Sequence, residues 1–275
     1  MKKLIAFMLT IVLALTMGVM ATGCSKGGSD VVNVRTKTIT VGYTDYAPMN
    51  YKENGVLKGF DTELALMVFN SLGYEVRFKL IEWSSKYLEL EGGTIDCIWN
   101  GFTANSSDKI GGVDTPREDI VNFSAYYLEN NQCVVRKSAT AEITDKANFA
   151  GTSITFESGS AGADFVGGLT GVYNIGCATQ LEALNQVNSG NSDYAVVDRT
   201  LAENYVGKGN YSSLVINEGV VIPVEYYAIG FAKTEAGATL RDNVNVMLKA
   251  FETTGQLQEL ATKYNLATRL LTINF

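Results

Sequence analysis

Apolar and polar positions alternate in short runs along this chain, and two periods recur. Thr38-Ile39-Thr40-Val41-Gly42-Tyr43 alternates with period two, as a half-buried strand does, and Val76-Arg77-Phe78-Lys79-Leu80-Ile81-Glu82-Trp83 repeats the pattern. Between them lie the turn Asp45-Tyr46-Ala47-Pro48 and a hairpin-like stretch over 51–57. The spacing of Leu64, Met67, Val68 and Leu72 then predicts a helix over about 61–72, with Asp61 or Thr62 as its cap and Gly73 as its stop. A short helix ending at Gly92-Gly93 leads into Asp96-Cys97-Ile98-Trp99, which reads as a buried strand.

The middle of the chain repeats this grammar. Ser153-Ile154-Thr155-Phe156 is a strand that runs through Glu157-Ser158-Gly159-Ser160-Ala161-Gly162 into a helix. A helix over 181–187, a turn over 188–192 and the buried strand Tyr194-Ala195-Val196-Val197, ended by Asp198, follow. Gly93-Thr94-Ile95-Asp96 is echoed by Gly190-Asn191-Ser192-Asp193: each has a glycine ending a helix and an aspartate opening an apolar strand. Residues 220–231 are extended, and Leu240, Val244, Met247, Leu248 and Phe251 share one face of a C-terminal helix.

Strands alternating with helices in two stretches predict two α/β lobes with parallel sheets. No Pro/Gly-rich linker separates them, so extended chain must join them. The candidates are Asn131-Gln132-Cys133-Val134-Val135 outward and Pro223-Val224-Glu225-Tyr226-Tyr227 on the return. Lobe 1 is thus expected over 37–131 and 226–275 and lobe 2 over 132–225, with a hinge and a cleft between them.

The N-terminus sets the compartment. Met1-Lys2-Lys3 is a positive n-region, residues 4–20 are apolar, and Ala21-Thr22-Gly23-Cys24 is a small-residue cleavage site. This order describes a secretory leader over 1–23, since the apolar run holds threonines and glycine and ends at a cysteine. It resembles a bacterial lipobox, with Ala21 where leucine is usual, so Cys24 is expected to be lipidated and to anchor the protein to the outer face of the membrane. Residues 24–36 then form a flexible tether.

Composition removes whole classes of function. The formal net charge is −7, and losing Lys2 and Lys3 with the leader leaves 20 basic against 29 acidic residues, a net of −9. So acidic a chain is a poor partner for phosphate backbones, and no nucleic-acid binding is expected. The absence of histidine argues against Ser-His-Asp hydrolysis, Cys-His catalysis and histidine-ligated metal. No cofactor and no metal are expected. Cys97, Cys133 and Cys177 form no CxxC and no framework; they read as small buried hydrophobes, with one disulfide left open.

In parallel α/β sheets ligands sit beyond the carboxyl ends of the strands. This chain places Asp45 and Tyr46 there after the first strand, Trp83 after the second, and Asn100, Gly101, Phe102 and Thr103 after the third, with Arg117 beyond. In the second half come residues 157–161 at a helix start and Asp198 at a strand end. Taken singly each is bland: an arginine in a loop is usually solvated, Gly-Ser runs are usually turns, Asp198 could cap a helix from Thr200, and Trp83 and Tyr46 could be core. Together they suit a free α-amino acid: a guanidinium for a carboxylate, amide groups at a helix start, a lone carboxylate for an ammonium, and aromatic walls.

At this point a resemblance emerges. Val41-Gly42-Tyr43-Thr44-Asp45-Tyr46-Ala47-Pro48, Gly59-Phe60-Asp61-Thr62-Glu63-Leu64 and Asp96-Cys97-Ile98-Trp99-Asn100-Gly101-Phe102-Thr103 resemble the family 3 solute-binding proteins of polar amino-acid ABC importers. So do Thr115-Pro116-Arg117, Phe123-Ser124-Ala125-Tyr126-Tyr127, Glu157-Ser158-Gly159-Ser160, the run from Gly190 through Asp193 to Asp198, and Thr254-Gly255-Gln256-Leu257. The likeness runs in order from about residue 37 to the end. It implies a type II periplasmic-binding-protein fold and a monomer that closes on a free amino acid and is read by a membrane permease. It also implies that Arg117 holds the α-carboxylate with help from Thr103 and the backbone near Ser160 and Ala161, and that Gly101 is among the residues at the ligand. Asp198 takes the α-amino group, Tyr46 and Trp83 sandwich the ligand, and Asp45 and Glu157 read its side chain. Glu157 departs from the glutamine or lysine frequent there; with three carboxylates and one arginine, a cationic or amide side chain fits better than an acidic one.

One departure stands out. About nine extra residues, over 104–114, separate Thr103 from the Thr-x-Arg segment, which leaves either Arg117 or Lys109 to anchor the carboxylate. Arg117 keeps the downstream register, and lysine cannot form the bidentate fork. The insertion is either a lid or a solvated excursion. No catalysis is expected. The rival readings are a dehydratase acting on arogenate- or prephenate-like substrates, with Glu157 as general acid, and a ligand-sensing module.

Overall fold

The structure, a computed structural model, describes residues 37–275. The expected leader, Cys24 and the tether lie outside the described residues.

Strand β1 (Lys37–Tyr43) is followed by the hairpin β2 (Tyr51–Glu53) and β3 (Val56–Lys58), helix α1 (Phe60–Ser71), β4 (Tyr74–Leu80), α2 (Lys86–Glu91) and β5 (Cys97–Ile98). A second hairpin, β6 (Ser107–Ile110) and β7 (Val113–Pro116), runs into the one-turn helix α3 (Arg117–Ile120), β8 (Asn122–Phe123) and the long β9 (Leu128–Lys137). Next come β10 (Ser153–Glu157), α4 (Ala161–Gly167), β11 (Tyr173–Cys177), α5 (Gln180–Ser189), β12 (Tyr194–Asp198), α6 (Arg199–Tyr205) and β13 (Leu214–Asn217). The chain closes with β14 (Val224–Tyr227), β15 (Gly230–Phe231), α7 (Glu235–Thr253) and α8 (Gln256–Lys263).

Apart from the hairpins β2–β3 and β6–β7, each a two-stranded sheet of its own, these strands make two sheets, ordered β4-β1-β5-β15-β8 and β11-β10-β12-β9-β13. In the first, β1 lies parallel to β4 (Lys37 beside Tyr74, Tyr43 beside Leu80) and to β5. In the second, β10 lies parallel to β11 and β12, while β9 runs antiparallel to its two neighbours, β12 and β13. Before β9 enters that sheet it pairs with β14, Val224 beside Asn131 and Tyr227 beside Leu128. The architecture is therefore the expected α/β one: two lobes joined by two extended segments, here hydrogen-bonded to each other.

Helices cover the sheets because their apolar stripes must be buried. Phe60, Leu64, Val68 and Phe69 of α1 pack with Val41 and Trp99, with Leu248 and Phe251 of α7, and with Leu257 of α8. Each such fully buried side chain contributes about 1.5–3 kcal/mol. The Gly-x-x-Asp echo has a shared structural cause. Asp96 Oδ2 accepts from Thr40 N at 2.7 Å, and Asp193 Oδ2 accepts from Ser153 N at 2.8 Å. Each aspartate thus ties the start of its own strand to its parallel neighbour.

Two expectations are corrected. Residues 81–83 are not strand: β4 stops at Leu80, and Trp83 opens a 3₁₀ turn over Trp83–Ser85. Nor do Asp61 and Thr62 cap α1, whose N-cap is Gly59. Asp61 is buried and accepts from Gly101 N at 2.7 Å and from Tyr127 Oη at 2.9 Å. Thr62 accepts from Asn50 Nδ2 at 2.9 Å. A buried carboxylate is satisfied by whatever donors the fold brings to it, and here these come from 40 and 66 residues away.

Candidate functional site

The carboxyl ends of both sheets' parallel strands meet at one small cavity. It is lined by Tyr46, Trp83, Asn100, Gly101, Thr103, Arg117, Glu157, Ser160, Ala161, Gln180 and Asp198. Nine of the ten residues expected from the sequence to touch ligand are therefore brought together. Asp45 is not: it is exposed, because its neighbours Thr44 and Tyr46 turn inward. Thr44 Oγ1 donates to Asn100 Oδ1 at 2.6 Å, and Tyr46 N donates to Asn50 O.

The inner wall is made by backbone shape as much as by side chains. Gly101 sits at φ 56°, and a Cβ there would lie 2.6 Å from Tyr46 Cε1 and 3.0 Å from Tyr227 Cε2, so only glycine fits. Tyr46 and Tyr227 hydroxyls lie 2.6 Å apart behind it. Trp83 is braced edge-on by Phe102, with ring centroids 5.3 Å apart.

Arg117 is 1% exposed and points into this space, whereas Lys109 is exposed on the inserted hairpin beside Asp114. Arg117 Nη1 donates to Thr103 O at 2.9 Å, and Nη2 donates to Asp108 Oδ1 at 3.0 Å and to Gly159 O at 3.4 Å. Its Nε has no partner. The Thr103 hydroxyl donates to Glu225 Oε2 at 3.0 Å. The Ser160 side chain caps α4 by accepting from Ala163 N at 3.1 Å.

Three carboxylates, Asp198, Glu157 and Glu225, are buried in the same region as Arg117. Asp198 accepts from Asn130 Nδ2 at 2.9 Å, from Gln132 Nε2 at 2.5 Å and from Gln180 Nε2 at 2.5 Å. Asp198 is the N-cap residue of α6, but its side chain makes no capping hydrogen bond; Asn130 Oδ1 supplies one, accepting from Thr200 N at 3.2 Å. Glu225, on the returning strand, shares Gln132 Nε2 at 3.0 Å. Burial, then the charge of Asp198, pushes Glu157 up to about 8 and Glu225 up to about 7. Burial raises Asp198 as well, against the hydrogen bonds it receives. Such a cluster gains most from a cation placed among it. Among the described residues no group of His, Cys, Asp or Glu is arranged to hold a metal ion.

Sequence reasoning missed Lys86, Asp108, Glu225, Asn130, Gln132 and Gln180. Lys86 is 2% exposed; its Nζ lies 3.0 Å from Asp108 Oδ2, 3.0 Å from Gly159 O and 4.4 Å from the Tyr87 ring centre. Burial, then the charge of Arg117, pulls it down to about 8. Burial would raise Asp108, but Arg117 and Lys86 hold it below its ordinary value. The site thus holds two cations, Lys86 and Arg117, against the carboxylates of Asp108, Glu157, Asp198 and Glu225. The space left free is ≈ 10 Å³, about that of one water. An amino acid can enter only if the walls part.

Comparison with known proteins agrees with this architecture. The model of the bacterial extracellular solute-binding proteins, family 3, matches residues 39–267. The arginine-binding extracellular protein ArtP of Bacillus subtilis (strain 168) is 27% identical over 269 residues, covering 96% of this chain and 98% of its own. The L-cystine-binding protein TcyA of the same organism is 25% identical over 244 residues, covering 87% of this chain and 86% of its own. The crystal structure of an ABC uptake transporter substrate-binding protein from Streptococcus pneumoniae with bound histidine has a TM-score of 0.72 at 29% identity, covering 84% of this chain and 95% of that one.

Proposed function

The chain belongs to the bacterial extracellular solute-binding proteins, family 3, and from that premise we propose that it is the substrate-binding component of an amino-acid ABC importer. It captures a free L-amino acid whose side chain is cationic or an amide. The observation that carries this reading is the placement of a buried guanidinium, Arg117, and two buried carboxylates, Asp198 and Glu157, around one cavity walled by Tyr46 and Trp83. Arg117 takes the α-carboxylate through its planar fork, Asp198 the α-ammonium, and Glu157 the side chain. The relatives named for arginine and cystine, and the neighbour holding histidine, support a polar amino acid.

The work done is closure. Arg117 comes from one lobe, Glu157 and Asp198 from the other, so a ligand touching all three favours the closed state, which the permease reads. The protein acts as a monomer tethered through a lipid on Cys24, and Cys24→Ser should move it from the membrane to the soluble fraction.

A thermal-shift screen of the twenty amino acids with cystine and ornithine tests the reading. Arginine, lysine, ornithine or an amide should raise the melting temperature by mass action, and Arg117→Met should erase the shift. No shift with any of them, or the largest shift with aspartate or glutamate, contradicts it. Formation of product from an arogenate- or prephenate-like substrate would replace it with the dehydratase reading.

A further inference from the structure

The inserted hairpin β6–β7 does more than lengthen a loop, because it delivers a carboxylate to the guanidinium that the ligand needs. Asp108 Oδ1 lies 3.0 Å from Arg117 Nη2, while its Oδ2 lies 3.0 Å from Lys86 Nζ and accepts from Tyr87 Oη at 2.5 Å. We propose that Asp108 is a built-in occupant of the carboxylate position, which the α-carboxylate of an incoming amino acid must displace. Asp108 thereby sets both the affinity of the cleft and the class of ligand it accepts. This rests on the reading that Arg117 holds the ligand's carboxylate.

Three features favour exchange over a permanent ion pair. Asp108 engages Arg117 only through Nη2 and leaves Nε unpartnered in the buried site, so a ligand carboxylate reaching both nitrogens binds better than the residue it replaces. The hairpin pairs with no other strand, so its hold on the cleft is through side chains, Asp108 foremost. It is an isolated two-stranded unit that turns at Gly111-Gly112 and leaves Ile110 46% and Val113 66% exposed. Finally, an open groove of ≈ 500 Å³ runs alongside it, between Asp108, Lys109 and Ile110 and the helix face at Ala163 and Asp164. A ligand without a carboxylate has nothing to offer Arg117 in exchange, and the cavity stays shut.

Isothermal titration of the wild type, Asp108→Asn and Arg117→Met with L-arginine, and with its decarboxylated counterpart agmatine, tests the exchange. Asp108→Asn should tighten L-arginine at least tenfold and leave agmatine no tighter; binding of L-arginine by the variant alone would support it equally. Asp108→Ala should act in the same direction, so the result does not hang on one variant's folding. Displacement itself is read by spin labels on Leu88→Cys and Ile110→Cys, both exposed, against native thiols 97, 133 and 177 that are buried. The distance should change with L-arginine and hold with agmatine.

If Asp108→Asn leaves L-arginine unchanged or weaker while Arg117→Met abolishes it, the exchange is refuted and the proposed function stands. A fixed label distance at saturation, or no binding by either protein, also refutes the exchange. If Arg117→Met binds L-arginine like the wild type, or agmatine binds as tightly as L-arginine, the reading of Arg117 falls with it.

Discussion

Capture of a cationic amino acid in this cleft should depend on pH, and in one direction. Closed without ligand, burial and then the charge of Asp198 push Glu157 up to about 8 and Glu225 up to about 7. A guanidinium seated on Glu157 keeps that carboxylate ionised, so binding below pH 8 must expel its proton. At pH 6 about one Glu157 in a hundred is ionised, and at pH 8 about half, so ionisation of Glu157 alone should tighten arginine on the order of fifty-fold over that interval. Glu225 adds to the gain with the same sign. Lys86, held at about 8, is about one-tenth neutral at pH 7 and about half neutral at pH 8, which makes pH 8 the sensible limit. Titration calorimetry of L-arginine at pH 6, 7 and 8, in buffers of different ionisation enthalpy, reads the affinity and counts the protons released. L-Glutamine is the control, since its neutral amide can accept from a protonated Glu157 and should show little pH dependence. Glu157→Gln should flatten the arginine profile. An arginine affinity constant within a factor of about three over this window, with no proton released, would refute the assignment of Glu157 to the ligand's side chain.

Other outcomes follow from the same geometry. Ligand-free stability should fall as pH rises from about 5 to 8, because folded Asp61, Glu225 and Glu157 still hold protons that their unfolded forms have lost. Calorimetric melting that instead rises over this window would contradict those burial effects. Arg117→Lys removes the fork and should cost about 2–5 kcal/mol of amino-acid binding, measured by titration. Gly101→Ala places a Cβ 2.6 Å from Tyr46 at a positive φ; it should lower unfolding stability by about 1–3 kcal/mol in urea and displace Tyr46 from the cavity.

What was legible in the sequence was whatever has a local cause. Period-two alternation marked β1, and the Gly-x-x-Asp echo marked two equivalent strand starts, because those aspartates act on a neighbouring strand in the same register. Strand-end residues such as Tyr46, Gly101, Arg117 and Asp198 could be placed because strand ends converge in this class of fold. Contacts made across the fold were hidden. Lys86 on a short helix has the pattern of a solvated lysine, yet the cleft takes it up between Trp83, Tyr87 and Asp108. Asp108 lies in an insertion that composition reads as a polar excursion, and only the β6–β7 register turns it inward. Glu225 was counted as hinge because its partners Thr103, Asn130 and Gln132 lie 93–122 residues away. Asp45, conversely, sits beside the right residues and faces solvent.

A crystal structure of the protein grown with L-arginine tests the ligand assignment most directly. The α-carboxylate should lie on Nε and Nη2 of Arg117 between Tyr46 and Trp83, the α-ammonium at Asp198 and the guanidinium at Glu157, with Asp108 withdrawn. A cleft still shut on Asp108 at saturating arginine, or a ligand whose carboxylate lies away from Arg117, would contradict it.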